Sequence, residues 1–396
     1  MHDHTPDRTR HADDQSVVPV VMMRGGTSKG VFVRNDDLPA PGPARDLALL
    51  DLMGSPDPMQ LDGLGGTHVN TSKVMIIQAG EAAETDVEYT AVQVGTDVAI
   101  VDYSGNCGNL SAAVGAYAVD EGLVAVTEPI TVVRMLNHNS HARILAHVPV
   151  HGGLARYEGE YKVDGVPGTG APIVLEFLNP AGSVFGRLLP TGHLQDEIET
   201  TRGAFVISIV DVSHPTVFVR ASDLGLSGSE PADDLNADGA LLSLLEEIRG
   251  GCAVLLKVAE RADEAALRSP VVPRMAIVSP PPPGSDAIQL TGRTVAMGRV
   301  IHSYALTVAI CTAAACRIDG TIPHAVSSPP RDDTICIAHP SGTICASIKL
   351  DDGAETPTVI SASIVRTARR LLKGSAFLKQ PGPVRAARGA TIGGSR

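Results

Sequence analysis

The chain has 396 residues, of which 43% are hydrophobic and 19% are charged, and its formal net charge is −12. No run of Lys and Arg is long enough to line a nucleic-acid groove, and no apolar run approaches the ~18 residues of a membrane span. The polar N-terminus lacks a signal-peptide core, so we predict a disordered tail over residues 1–16 and a cytoplasmic protein. The 40 Gly and 28 Pro, with abundant Val and Ile, favour a β-rich mixed α/β fold.

Ordered structure is predicted to begin at Val17 with an apolar strand, which leads into the Gly-rich turn 24–30 and a second short strand. Backbone amides in such a turn can approach an anion, and Arg24 and Ser28 are candidate donors. The alternative is a purely structural hairpin turn, and the turn lacks the spacing of a phosphate-binding P-loop.

A short helix over 46–53 precedes a second polar segment, in which Thr71, Ser72 and Lys73 stand directly before the apolar strand 74–77. Lysine is rarely buried, and a desolvated lysine has a depressed pKa and can act as a base. The alternative is a lysine whose head reaches solvent from the strand end. We predict Lys73 as a catalytic base, with Thr71 and Ser72 binding substrate.

The most informative segment is 102–119, where a predicted strand, a sharp turn of Gly and Asn, and an apolar helix follow one another. Cys107 falls at the start of this helix, where unpaired N–H groups and the helix dipole favour an anion and lower a thiol pKa. Cys107 is therefore predicted as an acid/base, with Gly108, Asn109 and Ser111 as substrate-binding groups. The alternative is a small buried cysteine without chemistry.

The rest of the chain contains two more candidate binding residues and further predicted strands and helices. Ser140 follows the strand 130–135 and is predicted to bind substrate, and His302 is assigned the same role because it precedes a second apolar helix of small residues. The loop 179–192 is the predicted domain crossing. Other predicted elements are strands at 204–211, 275–279, 335–338 and 343–349, helices at 235–249, 304–317 and 363–373, and a mobile tail over 375–396.

The cysteines and histidines indicate neither a disulfide framework nor a metal centre. The 6 Cys include no C-x-x-C pair and are spread over a long chain. The 13 His include no His-Glu-x-x-His motif, and His138/His141 and His147/His151 lack an evident third ligand. We therefore predict no metal site.

Both halves of the chain contain strands that lead into an apolar helix of small residues. This shared order predicts two similar lobes, over 17–185 and 186–374, with a cleft between them. Helix starts that face one another across such a cleft would form a site for a polyanion.

Five motifs together resemble the PrpF family. They are MRGGTSKG at 23–30, GGTHVNTSK at 65–73, NCGNLSAAVG at 106–115, HPSG at 339–342 and RTARR at 366–370. That family comprises 2-methylaconitate cis-trans isomerases and 4-oxalomesaconate tautomerases. The resemblance runs from about Val17 to Lys373 and implies an α/β fold of two pseudo-symmetric diaminopimelate-epimerase-like lobes, each with strands wrapped around a central helix.

The resemblance also implies an active site between the lobes, no cofactor, and catalytic roles for Lys73 and Cys107. Segments 68–70 and 137–140 depart from the family's small hydroxyl and Asn-Thr patterns, and these departures bear on substrate choice. The expected reaction moves a double bond in an unsaturated di- or tricarboxylate, and 4-oxalomesaconate is the favoured substrate.

Two alternatives remain open. A racemase or epimerase of the same fold typically needs an opposed cysteine in the second half, and none stands at the start of the predicted helix 304–317. A non-catalytic carboxylate-binding accessory protein would not need Lys73 or Cys107. The oligomeric state is also open, with a homodimer as one alternative.

Overall fold

A computed structural model describes residues 15–330, 332–351 and 358–379 of the chain. The fold is mixed α/β, as predicted. The strands are β1 (Ser16–Gly25), β2 (Ser28–Arg34), β3 (Lys73–Ala79), β4 (Val87–Val94), β5 (Val101–Asp102), β6 (Ile130–Asn137), β7 (Arg143–His151), β8 (Leu154–Ala155), β9 (Tyr161–Lys162), β10 (Thr169–Gly170), β11 (Ile173–Leu178), β12 (Asp196–Thr200), β13 (Gly203–Val212), β14 (His214–Arg220), β15 (Arg274–Ser279), β16 (Leu290–Ala296), β17 (Arg299–Val300), β18 (Thr334–His339), β19 (Gly342–Asp351), β20 (Thr358–Arg366) and β21 (Ala368–Leu378).

The helices are α1 (Pro43–Met53), α2 (Gly108–Asp120), α3 (Ala232–Ala237), α4 (Gly239–Leu255), α5 (Ala265–Arg268), α6 (Leu306–Cys316) and α7 (Ile322–Val326). The predicted helix 235–249 is two helices. Asp238 ends α3 and caps α4, because its carboxylate accepts hydrogen bonds from the N–H groups of Ala240 and Leu241. In the part of the chain that the structure describes, no helix is long and apolar enough to cross a membrane.

Helices α2 and α6 are enclosed by strands, which confirms the prediction of two buried helices of small residues. Every residue of α6 is buried, as are nearly all residues of α2. A helix that is apolar on all sides must be covered on all sides. Small residues allow the strands to pack closely against the helix. A Cβ added at Gly115 of α2 would lie 2.7 Å from the Cβ of Ala146 on β7.

The largest hydrophobic cluster is shared by the two halves. A single cluster includes buried residues of α2 in the first half and of α6 in the second. The first turns of the two helices meet there, since a Cβ added at Gly108 would lie 2.7 Å from the Cδ2 of Leu306. The predicted domain crossing, 179–192, therefore connects halves that pack directly against each other.

The end of the chain differs from the prediction. Residues 363–373 do not form a basic helix but belong to β20 and β21. Strand β21 pairs antiparallel with β1 along its length and continues to Leu378, so part of the predicted tail is a strand and the predicted second lobe returns to the first. Local helix propensity was overridden by this long-range pairing. Residues 380–396 and 1–14 lie outside the described residues.

The cysteine prediction was also wrong at one pair. Cys336 and Cys345 form a disulfide, because the β18–β19 hairpin places them directly opposite each other with their Cα atoms 4.0 Å apart. Directly opposed residues of an antiparallel pair have adjacent side chains. The hairpin itself was predicted, but the pairing register between its strands was not.

Candidate active site

Cys107 occupies the N-cap position of α2, as predicted. Its carbonyl accepts the first helical hydrogen bond, from the N–H of Ser111 at 3.1 Å, while its thiol makes no capping hydrogen bond and is half-buried. The N–H groups of Gly108, Asn109 and Leu110 precede that bond and point toward the N-terminal end of the helix. The thiol therefore lies at the positive end of a helix dipole and is not used as a helix cap.

A buried hydrogen-bond network fixes the backbone beneath this thiol. The Ser111 hydroxyl donates to the Cys107 carbonyl at 3.2 Å and lies 2.7 Å from the hydroxyl of Tyr89. Burial raises the pKa of Tyr89 well above its usual range, so the phenol stays protonated. Ser111, predicted to bind substrate, is instead fully buried in this network and holds the Cys107 backbone through that hydrogen bond.

Lys73 is the first residue of β3 and is half-buried. The sheet register places Gln93 of β4 directly opposite it, and Asp102 of β5 opposite Gln93. The Lys73 ammonium donates a hydrogen bond to Oε1 of Gln93, whose Nε2 donates to the carbonyl of Ser72 at 2.9 Å. A neutral amide thus orients the lysine without neutralising its charge.

Lys73 and Cys107 line the same cavity, of about 270 Å³, between the two halves of the chain. The first half also contributes Gln93 and Asp102. The opposite wall comes from the second half and is largely apolar, with Pro273, Val295, Met297, Ile301 and Ala305. The structure therefore brings together the two residues that the sequence predicted to be catalytic.

Arg274, at the start of β15, is a cavity residue that the sequence analysis missed. Its guanidinium donates to the Thr307 hydroxyl at 3.3 Å. Burial lowers the pKa of Arg274, and this arginine lines the same cavity as Cys107. A cavity cation of this kind can hold a carboxylate.

A neutral histidine lies beside this cation. Burial lowers the pKa of His214 to about 3, the charge of Arg274 contributes, and the His214 Nε2 hydrogen bond to the Val271 carbonyl opposes the shift. The ring therefore carries no charge near neutral pH, and Arg274 supplies the positive charge at this point of the wall.

Asn106 is a second cavity residue without a sequence-based assignment. Its Oδ1 is buried and has no hydrogen-bond partner among the described residues. Such an orphaned polar atom is costly and is common where a ligand completes the site. Asn106 lines both the Cys107 cavity and an adjoining cavity of about 190 Å³ that contains Ser140.

Of the other residues predicted to bind substrate, none but Ser140 lines either cavity, and most are engaged in the protein. The Arg24 guanidinium donates to the carbonyls of Gly26 and Thr367 and to the Thr367 hydroxyl, at 2.8–3.1 Å. Ser28 is buried. His302 is exposed and faces Asp233, with 3.3 Å between Nε2 and Oδ1.

Two more of these residues, Thr71 and Ser72, directly precede Lys73 in the chain but do not line the cavity. The Thr71 hydroxyl donates to the Gly66 carbonyl at 2.7 Å. Ser72 is fully buried and its hydroxyl accepts from Gln60 Nε2 at 2.7 Å. Both residues form hydrogen bonds that fix the loop directly before Lys73.

Gly108 and Asn109 lie in the first turn of α2. Gly108 packs against Leu306, and Asn109 lines a third cavity, whose lining does not include Cys107. Their contribution to the Cys107 cavity can come only from their backbone N–H groups. Within residues 15–330, 332–351 and 358–379, no three His, Cys, Asp or Glu side chains are grouped in a way that could hold a metal ion.

Comparison with known proteins places these residues in a family. Residues 15–379 match the family model described as PrpF protein. The chain is 41% identical to a 3-methylitaconate isomerase of Eubacterium barkeri, over 93% of this chain and 98% of that protein. It is 39% identical to a 4-oxalomesaconate tautomerase of Pseudomonas putida (91% and 96%) and 38% identical to a 2-methyl-aconitate isomerase of Shewanella oneidensis (93% and 98%).

A solved structure has the same fold. The crystal structure of a methylitaconate-delta-isomerase matches with a TM-score of 0.82 at 41% identity, and covers 93% of this chain and 97% of that one. The three relatives, named for three different substrates, are almost equally similar to this chain, so similarity alone does not select a substrate.

Proposed function

Because the chain belongs to the PrpF family and is an isomerase of that family, we propose that it moves a carbon–carbon double bond in an unsaturated di- or tricarboxylate by proton transfer between Lys73, Cys107 and the substrate. The observation that supports this best is the shared cavity: an amine and a thiol from different elements face one space, with the cation of Arg274 beside them. The proposed active site lies between two lobes of similar construction, built around α2 and α6.

The reaction needs one group to remove a proton and one to return it. The Lys73 ammonium first loses a proton to solvent. The resulting amine takes a proton from the allylic carbon, and the C–H electron pair forms the new double bond. The electrons of the old double bond move to its far carbon, which takes the proton of the Cys107 thiol. Proton exchange with solvent then restores the amine and the thiol, and the reverse reaction uses the same groups in the opposite order.

The intermediate charge must be stabilised on a carboxylate. Removing the allylic proton delocalises negative charge onto the adjacent carboxylate as an extended enolate, and fixed donors lower its energy most. Arg274 and the free N–H groups at the start of α2 are donors of this kind. We assign a further carboxylate arm to the adjoining cavity that contains Ser140.

The positions of the remaining thiols disfavour a two-cysteine epimerase. Helix α6 begins at Leu306 after Ala305, and its Cys311 and Cys316 are buried within the core. Burial raises the pKa of both to about 12, so neither is an acid/base near neutral pH. Cys107 therefore has no thiol partner on α6, and Lys73 takes the second role.

A substrate panel tests the proposal. The purified protein is incubated with 3-methylitaconate, 2-methylaconitate, 4-oxalomesaconate and, as a contrast, L-proline and L-hydroxyproline, and products are followed by NMR and chiral chromatography. We expect a shifted or isomerised double bond in at least one polycarboxylate and no change in the amino acids. Inversion of an amino-acid stereocentre with every polycarboxylate unchanged would replace the proposal by an epimerase.

An Arg274→Gln variant should bind substrate more weakly. A hydrogen bond to a charged group contributes about 1.5–3 kcal/mol, so we expect KM to rise about 10- to 100-fold while kcat falls less, because the guanidinium holds the carboxylate before and during the reaction. The matched control is Arg268→Gln, at an exposed arginine of α5 that pairs with Glu264. An unchanged KM in a folded Arg274→Gln variant would remove Arg274 from the site.

A further inference from the structure

A separate polar cavity of about 230 Å³ lies between the two halves, facing the Asn109 side of the first turn of α2. Its lining includes Thr27, Asn109, Asp164, His339 and Arg366, and none of its lining residues also lines the Cys107 cavity. The proposed reaction gives this cavity no role.

Its main feature is a buried arginine. Arg366 is only 7% exposed, and its guanidinium donates to Oδ1 of Asn109 at 3.1 Å and to the Val365 carbonyl at 2.8 Å. No carboxylate pairs with it among the described residues, and its Nη2 donates no hydrogen bond to them. Burial lowers the pKa of Arg366 to about 10, so it remains cationic at neutral pH.

A buried cation without a counter-charge is unfavourable unless something compensates it. Among the described residues, Asp164 contributes the one carboxylate of the cavity wall, and this group is engaged elsewhere. Its Oδ2 accepts from the Thr343 N–H at 2.7 Å, and its Oδ1 lies 3.6 Å from Lys162 Nζ. With Lys162 and Arg366 positive and Asp164 negative, the lining has a formal charge of +1, in a chain whose net charge is −12.

His339 adds a neutral donor. Burial lowers its pKa to about 4, against the opposing charge of Asp164, and the charge of Arg366 contributes to the lowering. Its Nδ1 accepts from the Ser341 N–H at 3.2 Å, which places the proton of the neutral ring on Nε2. The cavity thus combines a fixed cation with neutral donors.

We propose that this cavity is a second anion-binding site, which takes a small carboxylate or phosphate through Arg366. The bound anion compensates the guanidinium and accepts from its free N–H groups. Asn109 connects the site to the start of α2, because its Oδ1 accepts from Arg366 while its Nδ2 donates to the Thr27 hydroxyl at 3.1 Å. The anion is therefore linked through Arg366 and Asn109 to the helix turn that also holds Cys107.

The test is calorimetric titration of the full-length protein with inorganic phosphate and with malonate at constant ionic strength. The Arg274→Gln variant is used so that the Cys107 cavity contributes least. We expect saturable binding of at least one anion to the Arg274→Gln protein. In the Arg274→Gln/Arg366→Gln double variant, the dissociation constant for that anion should rise 10-fold or more. Tighter binding of malonate would identify a carboxylate as the ligand class, and tighter binding of phosphate a phosphorylated one.

A second variant covers the case in which Arg366→Gln does not fold. Thr27→Asp adds a carboxylate to the cavity wall beside Arg366 and keeps an acceptor for Asn109, so we expect it to abolish anion binding and to preserve the melting temperature. Thr27→Val is the matched control and should keep binding. The proposal would be overturned if folded Arg366→Gln or Thr27→Asp protein bound both anions as before. It would also be overturned if the Arg274→Gln protein bound neither anion. These outcomes are independent of turnover.

Discussion

A Cys107→Ala variant should lose about 10²- to 10⁴-fold in kcat, the usual contribution of a positioned acid/base. The expectation rests on the thiol's place in the cavity with Lys73 and on the absence of a capping hydrogen bond from its side chain. Cys107→Ser should lose nearly as much, because a hydroxyl of similar size is a far weaker acid. Initial rates with the best substrate of the panel, together with circular dichroism, provide the measurement.

Cys252 is the matched control for this substitution. It is fully buried in α4 and does not line the cavity, and burial raises its pKa well above the usual range. Cys252→Ala should keep kcat unchanged, with only some loss of thermal stability. If folded Cys107→Ala protein retains wild-type kcat, the thiol is not an acid/base, and the accessory-protein alternative gains support.

Lys73→Ala should cause the second large loss, again about 10²- to 10⁴-fold in kcat. Lys73→Arg separates charge from proton transfer, because a guanidinium keeps the positive charge but does not deprotonate in proteins. We therefore expect Lys73→Arg to remain nearly as inactive as Lys73→Ala while its KM stays closer to wild type. Steady-state kinetics over a range of pH provide the comparison.

The control for the lysine is Lys349→Ala, at an exposed residue of β19. Its kinetic constants should match those of the wild type. Substantial kcat in Lys73→Arg would mean that Lys73 contributes charge alone, and the proton transfer would have to be reassigned.

The elements that place these two residues could be predicted because their signals are local. A turn of Gly and Asn between a strand and an apolar helix predicts a helix start near Cys107, and α2 begins at Gly108 with Cys107 as its N-cap. Lys73 directly precedes an apolar strand, which is also a local pattern. Motif resemblance added the same two residues independently.

The rest of the cavity depends on long-range packing that no local pattern encodes. Arg274 is an ordinary residue at the start of a strand, and it reaches the cavity because the second half packs against the first. Arg366 belongs to the RTARR motif, yet its surroundings depend on the return of β20 and β21 to the first half. The same return explains why residues 363–373 form strands although their sequence predicts a helix.

Several predicted substrate-binding residues show a further limit of sequence patterns. Arg24 and Ser72 are polar residues in glycine-rich turns, where sequence favours ligand contacts and loop-supporting hydrogen bonds equally. In the structure, both side chains form hydrogen bonds with other protein groups. Hydroxyl and amide groups near a site therefore predict the neighbourhood of the site better than its lining.

Solvent-deuterium incorporation tests the central claim most directly. The wild-type protein, without added metal or cofactor, is incubated in D₂O with the unsaturated polycarboxylate that it converts, and the product is followed by ¹H NMR. Proton transfer through Lys73 and Cys107 predicts product that carries deuterium at the carbon protonated by the enzyme, and loss of that incorporation in Lys73→Ala and Cys107→Ala. A product with a shifted double bond and no deuterium would show that the original proton was retained, and would contradict the two-residue transfer.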